Sequence, residues 1–313
     1  MDLFDKNPNL LYCYENFRVE KNRLSYTVKP SYGEGNVLLY NIVEGLFLMY
    51  SDMIITDGYN YDDIDFLNDM FIIHHFISGD AFFHLDEDLS AFVKEGESLF
   101  YTGDNKYISG GSGDNGIVSI SLFGYRDELI SHLKQMLMLD DEISENMNIF
   151  NYKNEIFVCN TNEIVISLLN KIMDNIKEDL IFNIKRDALQ LLFLDAELYP
   201  LYRSSKKILH KKSHIEMVEK AVRYMNENLE SNISIDDICN DCGINKSTFK
   251  RVFPDLYGIT PIKYLRNLRL EKGKSLLEEG FSVLETANMV GYQNPSKFSI
   301  AFKKKYGILP SKI

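Results

Sequence analysis

The sequence predicts an α+β protein in which a β-rich N-terminal domain with following helices precedes an all-α C-terminal domain with two helix-turn-helix units. Three observations lead to this prediction. The hydrophobic period changes from strand-like to helical near residue 126, the charge is divided unevenly along the chain, and the last 80 residues repeat themselves. A chain of 313 residues is also long enough for two domains.

The first domain is predicted over residues 1–125. From Asn36 to about Gly124, apolar runs of strand length alternate with glycine-containing turns. Short β-rich runs at this spacing are typical of an antiparallel sandwich or a small, cupin-like barrel. The glycine cluster Gly110–Gly113 is interpreted as a flexible hairpin connection between two of the strands.

Helical spacing of apolar residues predicts a helical region over 126–202, with the last helix ending near Pro200. The apolar stripes of its helices could pair with a second copy of the chain, as a dimerisation region, or form a bundle within one chain. The polar stretch 203–213 is predicted to be the linker to the second domain.

The C-terminal domain, predicted over 214–313, contains an internal repeat. Ser234–Asp237 and Ser282–Glu285 are both capping boxes that start a helix, 48 residues apart. Gly243 and Gly291 each follow nine residues after the cap, and paired phenylalanines and a Tyr-Gly-Ile sequence then recur at a spacing of 49. A capped helix, a glycine turn and a second helix form a helix-turn-helix unit, which this sequence contains twice.

The charge differs between the two parts of the chain. The net charge is −12 overall, which for the whole chain argues against binding to nucleic acid. Residues 211–313 carry 17 basic and 12 acidic residues, a net charge of +5, whereas residues 1–210 have a net charge of −17. The asymmetry predicts two domains with different partners, and only the second is suited to a polyanion.

Other classes of protein are excluded by composition. No apolar stretch approaches the ~20 residues of a membrane span, so no membrane association is expected. The N-terminus lacks the features of a signal peptide, and four cysteines do not make a disulfide scaffold. We therefore expect a cytoplasmic protein.

The two predicted units are separated by a length that suits duplex DNA. Residues Thr260–Glu279 form an amphipathic segment, and twenty helical residues span about 30 Å. Successive major-groove faces on one side of DNA are ~34 Å apart. One chain could therefore place two recognition helices in adjacent major grooves.

The C-terminal hundred residues resemble the AraC-type (AraC/XylS) transcriptional regulators. The resemblance lies in four segments, and the Asn-Pro-Ser sequence of the second turn is most similar to the branch that includes the ferric-pyochelin regulator. The segments are Phe249–Phe253, Tyr264–Leu270, Val290–Phe298 and Phe302–Ser311. The resemblance implies a DNA-binding regulator, most often an activator, with double-stranded DNA and RNA polymerase as partners.

The resemblance also implies which residues meet DNA. The outward positions of the two recognition helices are where the family contacts bases, and lysines nearby would neutralise phosphates. The base-contacting candidates are Ser247, Lys250, Arg251, Ser296, Ser299 and Ile300. The phosphate-contacting candidates are Lys246, Lys297, Lys303 and Lys304.

Two residues depart from the family pattern. Pro254 stands where a helix former is usual, and its ring would clash with the carbonyl of Lys250, so we expect a kink or an early end of the first recognition helix. Ile300 stands where polar residues or arginine are common. An isoleucine can contact a thymine methyl group but cannot donate to guanine, which predicts weaker direct readout by the second unit.

The N-terminal domain contains many aromatic residues, which mostly fill cores but also suit a cavity for an aromatic or chelate-type molecule. Inward-facing positions of the predicted strands provide the candidates for such an effector site. They are Phe71, Ile73, His75, Phe82, His84 and Phe100. By resemblance to the pyochelin-regulator branch, the effector could be a ferric siderophore.

Histidine and cysteine pairs raise the question of a metal site. His74 and His75 are adjacent, so at most one of them faces the interior of a barrel, and core or surface positions are favoured over a ligand role. Cys239 and Cys242 stand where the second unit has Ala287 and Val290, which favours small buried residues over a zinc or redox motif. We expect no metal and no cofactor.

Three hypotheses follow for the whole chain. The first is a sequence-specific, non-enzymatic regulator whose N-terminal domain binds a small-molecule effector or mediates formation of a homodimer. In the second, a cupin-type metalloenzyme is tethered to DNA, which requires a set of His and carboxylate ligands that the sequence does not present. The third is a ligand-independent regulator whose N-terminal domain serves only assembly.

Overall fold

The computed structural model describes residues 13–20, 23–56, 59–60, 70–85, 88–102, 109–137, 155–207, 209–231 and 233–313. They divide into two compact units, Met1–Lys212 and Ser213–Ile313. The first unit combines sheet and helix, and the second is helical. The predicted α+β fold class is therefore confirmed.

The strands of the first unit form one predominantly antiparallel sheet. Within the described residues they are β1 (Tyr14–Glu20), β2 (Arg23–Val28), β3 (Gly33–Val43), β4 (Leu46–Ile55), β5 (Tyr59–Asn60), β6 (Met70–His84), β7 (Leu89–Lys94), β8 (Glu97–Thr102), β9 (Ser109–Tyr125), β10 (Glu155–Asn160) and β11 (His210–Lys211). Their order is β1-β2-β3-β4-β9-β6-β7-β11, with β8 pairing both β6 and β10, and β5 pairing β9. The long strand β6 thus contributes to two branches of the sheet.

Three helices of the first unit are described. They are α1 (Arg126–Leu137), α2 (Glu163–Lys177) and α3 (Ile181–Ser204). Asn162 caps α2 by accepting a hydrogen bond from the backbone N–H of Ile164. The apolar stripe of α2 and that of α3 pack on the sheet, as their helical periodicity predicts.

Two hydrophobic cores lie on opposite faces of the sheet, because side chains alternate along each strand. On β8, Phe100 belongs to the core shared with the helices, whereas its neighbours Leu99 and Tyr101 belong to the other core. That second core is built from strand residues of both ends of the sheet, among them Tyr26 and Val93. The sheet therefore folds back over its own interior.

The structure corrects three local predictions for the first unit. Residues 155–160, assigned to the helical region, form β10, whose apolar run Ile156–Val158 pairs with Leu99–Tyr101 of β8. Gly110–Gly113 is not a hairpin connection but part of β9, and a Cβ at Gly111 would lie 2.5 Å from Cζ of Phe82, so the glycine admits that ring. Helix α3 does not end near Pro200 but continues to Ser204.

The segment predicted as a linker, 203–213, makes several contacts with the sheet where it is described. The backbone N–H of Lys207 donates to the carbonyl of Val158, and its ammonium lies 2.5 Å from a carboxylate oxygen of Glu97. His210 and Lys211 form β11 against β7. The boundary between the two compact units falls after Lys212.

The second unit contains six α-helices in its described residues. They are α4 (Lys212–Glu227), α5 (Ile235–Cys242), α6 (Lys246–Tyr257), α7 (Pro261–Glu278), α8 (Val283–Met289) and α9 (Pro295–Tyr306), followed by a 3-10 turn at Pro310–Lys312. Helices α5 and α6 form the first helix-turn-helix unit, and α8 and α9 form the second. The predicted duplication is confirmed.

Aromatic side chains hold the first recognition helix in place. Phe249 and Phe253 are fully buried. The centroid of the Phe253 ring lies 4.8 Å from that of Tyr257 and 5.3 Å from that of Tyr264. Helix α6 runs three residues past Pro254, so the expectation of an early end was wrong. Packing of these rings and a hydrogen bond from the N–H of Gly258 to the carbonyl of Pro254 keep the last turn helical.

Candidate DNA-binding surface

Both capping boxes predicted from the sequence are formed. The hydroxyl of Ser234 accepts from the N–H of Asp237, and the Asp237 carboxylate accepts from the N–H of Ser234 in return. Ser282 and Glu285 repeat this exchange at the start of α8. The hydrogen bonds to serine lower the pKa of both carboxyl groups, so each acid stays ionised next to the positive end of its helix.

An asparagine begins each recognition helix. Oδ1 of Asn245 accepts from the N–H groups of Ser247 and Thr248 at the start of α6. Oδ1 of Asn294 does the same for Ser296 and Lys297 at the start of α9, where Pro295 fills the first helical position. Sequence reasoning missed the cap at Asn245, although its spacing of 49 residues from Asn294 matches that of the other repeated features.

The outer face of α6 carries the first group of candidates. Ser247, Lys250 and Arg251 are exposed, whereas Phe249 and Phe253 on the same helix are fully buried. Lys250 and Arg251 form no ion pair with any described residue. The hydroxyl of Ser247 donates to Oδ1 of Asn245 at 2.6 Å, so its proton is committed to the helix cap.

The outer face of α9 carries the second group. Ser296, Lys297 and Ile300 are exposed, whereas Ser299 is half-buried. Phe298 and Phe302 are fully buried and fix which side of the helix faces outward. Ile300 is 70% exposed, the greatest exposure among the large apolar side chains of the second unit.

The lysines near the two recognition helices differ in whether they form ion pairs. Lys303 and Lys304 are exposed at the end of α9 and form no ion pair with the described residues. Lys246 is paired with Asp236 at the surface. Lys305 is paired with Glu271 at 2.6 Å and donates to the carbonyl of Asn267, so it holds α9 against α7.

Arg269 connects the two helix-turn-helix units, a role that the sequence did not reveal. Its guanidinium donates to the carbonyls of Leu229 at 3.1 Å and Ser231 at 2.5 Å, in the segment before α5. Burial lowers the pKa of Arg269. The side chain lies beside Gly291, the turn residue of the second helix-turn-helix unit. It therefore joins that turn to the segment that precedes α5 of the first helix-turn-helix unit.

The surroundings of Cys239 and Cys242 are those of structural residues in a core. Both thiols are free and buried on α5, among the apolar residues that face the core. Burial raises the pKa of each thiol, so a smaller fraction of each is in the reactive thiolate form. Among the described residues of the whole chain, no group of three or more His, Cys, Asp or Glu could hold a metal ion.

Four of the six effector candidates lie beneath the helices. Phe71, Ile73 and Phe100 are at most 2% exposed and fill the core shared with α2 and α3. The Phe100 ring stacks on that of Phe157, with centroids 5.1 Å apart. His75 lies on the same face, within a polar network to α3. These side chains fill a packed core and do not line an open surface.

The other two candidates lie further along β6. The rings of Phe82 and His84 are 5.2 Å apart, and Nδ1 of His84 lies 2.6 Å from the hydroxyl of Ser90. Burial, with a smaller effect of Lys212, lowers the pKa of His84 to about 4. The structure does not bring all six candidates together around one site.

A second set of polar side chains lies on the face of the sheet that is turned away from α2 and α3. Nδ1 of His74 lies 2.6 Å from the hydroxyl of Ser121, and burial lowers the pKa of His74 to about 4. Ser51 and Ser119 are paired across β4 and β9, and both are buried. The hydroxyl of Ser51 has no hydrogen-bond partner among the residues that the structure describes. Sequence reasoning missed this group because it ranked His75 above His74.

Comparison with known proteins agrees with this geometry. The model of a family described as "Helix-turn-helix domain" matches residues 222–313, which include both units. The probable transcription factor PqrA of Proteus vulgaris is 35% identical over 99 residues, which are 31% of this chain and 81% of PqrA. The chain belongs to the AraC-type helix-turn-helix transcriptional regulators.

Two further similarities concern the same part of the chain. The raffinose operon regulatory protein RafR of Pediococcus pentosaceus is 37% identical over 97 residues, but the match covers only 35% of RafR. The crystal structure of an AraC-type regulator from Chromobacterium violaceum matches with 27% identity and a TM-score of 0.30, over 32% of this chain and 90% of the other. PqrA and RafR are named as regulators of transcription and not as enzymes.

Within the described residues, no helix is both long and apolar enough to cross a membrane.

Lys303 provides a test of phosphate contact in this AraC-type domain. We expect Lys303→Ala to reduce the slope of log K against log salt concentration by about 0.9, because a lysine that no longer neutralises a phosphate no longer releases its counterion. The slope is measured by DNA-binding titrations of the full chain from low to moderate salt. Lys177→Ala, an exposed lysine of the first unit, serves as the control and should leave the slope unchanged. An unchanged slope for Lys303→Ala would show that this lysine does not contact phosphate.

Proposed function

We propose that this AraC-type chain is a sequence-specific regulator, and by family precedent an activator, that binds double-stranded DNA through α6 and α9. The observation that supports this proposal best is the repeated pair of asparagine-capped helices with outward polar side chains. The helices belong to one compact unit with an excess of basic residues, which favours a polyanionic partner. Activation requires contact with RNA polymerase, which we propose as the protein partner.

The connection between the recognition helices supports binding in adjacent major grooves. Helix α7 has 18 residues and therefore spans about 27 Å. Ion pairing of Lys305 with Glu271 fixes α9 to α7, and the ring of Tyr264 fixes α6 to it. A rigid connection of this length is suited to the ~34 Å between successive groove faces. On this proposal Ser247, Lys250, Arg251, Ser296, Ser299 and Ile300 face bases, and Lys246, Lys297, Lys303 and Lys304 face phosphates.

Arg251 tests the base-reading role of the first helix. We expect Arg251→Ala to weaken binding to a selected operator by about 5- to 150-fold, because a bidentate arginine–guanine contact contributes about 1–3 kcal/mol. Arg251→Lys is the matched control, since it keeps the charge but loses the planar fork. It should weaken operator binding while leaving affinity for random DNA nearly unchanged. Full operator affinity in both variants would contradict the proposal.

We further propose that the first unit binds a small-molecule effector, which changes how the DNA-binding unit is presented. The hydroxyl of Ser51, which no other described residue hydrogen-bonds, and the nearby His74–Ser121 pair support an interior site better than the residues beneath the helices do. A ferric siderophore, expected from the Asn-Pro-Ser resemblance to the pyochelin-regulator branch, is one candidate. Calorimetric titration of the full chain with ferric siderophores and with the iron-free forms tests it. Absence of heat with any of them would favour the assembly-only alternative.

A homodimer is the proposed assembly. Helix α3 leaves Phe182, Phe193 and Leu201 exposed at 78%, 40% and 56%, on the side that faces away from the sheet. Exposed aromatic and aliphatic side chains on one helix favour pairing with another copy. Sedimentation of the full chain and of Phe182→Ser at equal concentration tests this. A monomer in both cases would contradict it.

A further inference from the structure

The two recognition helices present different chemistry at matching positions. A shift of 49 residues relates Asn245 to Asn294, and it places Ser299 where α6 has Lys250 and Ile300 where α6 has Arg251. The first helix therefore presents two cationic donors at positions where the second presents a hydroxyl and an aliphatic side chain. Because the scaffolds are repeated and the outward residues are not, the two helices cannot read the same half-site.

Ile300 is not part of the hydrophobic core. It lies two residues from both Phe298 and Phe302, which places it on the opposite side of α9 from these buried rings. The adjacent core of the unit includes Leu270, Leu276, Ala287, Val290 and both rings, but not Ile300. With 70% of its surface exposed, the side chain gains little from packing within the unit.

The surroundings of Ile300 indicate what contacts it. Ser296, one helical turn before it, and Lys303 and Lys304, one turn after it, are exposed on the same helix. The lysines have no ion-pair partner in the described part of the chain. An apolar side chain with cations beside it is suited to a surface that is anionic and carries an isolated apolar group. The DNA major groove is such a surface, and its apolar group is the C5 methyl of thymine.

We infer that Ile300 makes the second recognition helix specific for thymine through its methyl group, whereas the first helix reads guanine. This inference rests on the proposed function and names the DNA sequence it requires. The operator then has two unlike half-sites. The half-site under α6 contains guanine for Arg251 or Lys250, and the half-site under α9 contains a thymine whose methyl contacts Ile300.

The test replaces each thymine of the second half-site, one at a time, with deoxyuridine, which keeps the base pair and removes only the methyl group. We expect one such replacement to weaken binding of the full chain about fourfold, as for the removal of one buried methyl group. Ile300→Ala should lose affinity for the thymine operator and show no further loss on the deoxyuridine operator. The variant alters an exposed side chain, so its folding is not at risk. Deoxyuridine in the first half-site, bound by the same proteins, serves as the matched control.

Several outcomes would overturn the inference while leaving the proposed function intact. The chain could bind a selected operator specifically and yet be insensitive to deoxyuridine, or the operator could have no thymine in its second half-site. An unchanged deoxyuridine penalty in Ile300→Ala would assign the methyl contact to another residue and equally overturn it. Failure of the full chain to prefer any sequence over random DNA would instead overturn the proposed function, and this inference with it.

Discussion

Replacing His75 with alanine is expected to lower the free energy of unfolding of the N-terminal unit by about 3–5 kcal/mol. Nε2 of His75 lies 2.9 Å from Oδ2 of Asp195, and both side chains are completely buried. A carboxylate only accepts hydrogen bonds, so Nε2–H donates to Asp195. The variant leaves that carboxylate buried without its donor, and its other oxygen, Oδ1, already has no partner within the described part of the chain.

The network extends across elements that are distant in sequence. Nδ1 of His75 lies 2.8 Å from the hydroxyl of Ser98, which is in turn 2.7 Å from that of Thr161. These hydrogen bonds join β6 and β8 to α3 and to the segment before α2. Loss of the histidine therefore weakens the attachment of the helices to the sheet and does more than remove one hydrogen bond.

Urea unfolding of the full chain, followed by circular dichroism, measures this effect. His74→Ala is the matched control, because His74 is the adjacent residue, lies on the other face of β6 and has Ser121 as its hydrogen-bond partner. It should cost about 1–2 kcal/mol. The double variant His75→Leu/Asp195→Leu should recover part of the loss, since it removes both polar groups. Equal effects of His74→Ala and His75→Ala would contradict the network.

Gly291→Ala is expected to destabilise the DNA-binding unit by about 3 kcal/mol, the sum of left-handed backbone strain and a steric clash. Gly291 has φ of +75°, and a Cβ there would collide with the backbone carbonyl of Leu229 and crowd the guanidinium of Arg269. Leu229 accepts a hydrogen bond from Arg269, so the clash separates the turn between α8 and α9 from the segment before α5. DNA binding should fall together with stability.

Gly243 provides a control within the same chain. It occupies the equivalent turn of the first helix-turn-helix unit with φ of +66°, but a Cβ there would meet no atom of the described residues within 4 Å. Gly243→Ala should therefore cost only the backbone strain, about 1 kcal/mol. Thermal unfolding and operator binding of both variants in the full chain measure the difference. Equal destabilisation would show that the clash at Gly291 is relieved by local adjustment.

Local signals in the sequence were sufficient to predict the C-terminal unit. The Ser234 and Ser282 caps, the turn glycines and the buried phenylalanines each act over a few residues. Each of these signals occurs in both helix-turn-helix units, so each supports the other. Pro254 was misjudged for the opposite reason, because its helical turn is held by rings of Tyr257 and Tyr264 that a local rule does not consider.

The N-terminal unit was predicted less completely because its features depend on distant contacts. His75 and Asp195 are 120 residues apart, and neither carries a local signal of the other. The glycine cluster 110–113 was mistaken for a turn because only the pairing with β6 shows that Gly111 makes room for Phe82. The strand β10 is defined by β8, since six residues have too few periods to distinguish a strand from a helix.

The central claim is that one chain reads DNA with two unlike helices in adjacent major grooves. Selection of binding sites from a random duplex pool by the full-length protein, followed by sequencing, tests this claim most directly. We predict enriched sites with two different half-sites about 10–10.5 base pairs apart, the first with guanine and the second with thymine. Enrichment of a single half-site, of two identical half-sites, or of no sequence at all would contradict it.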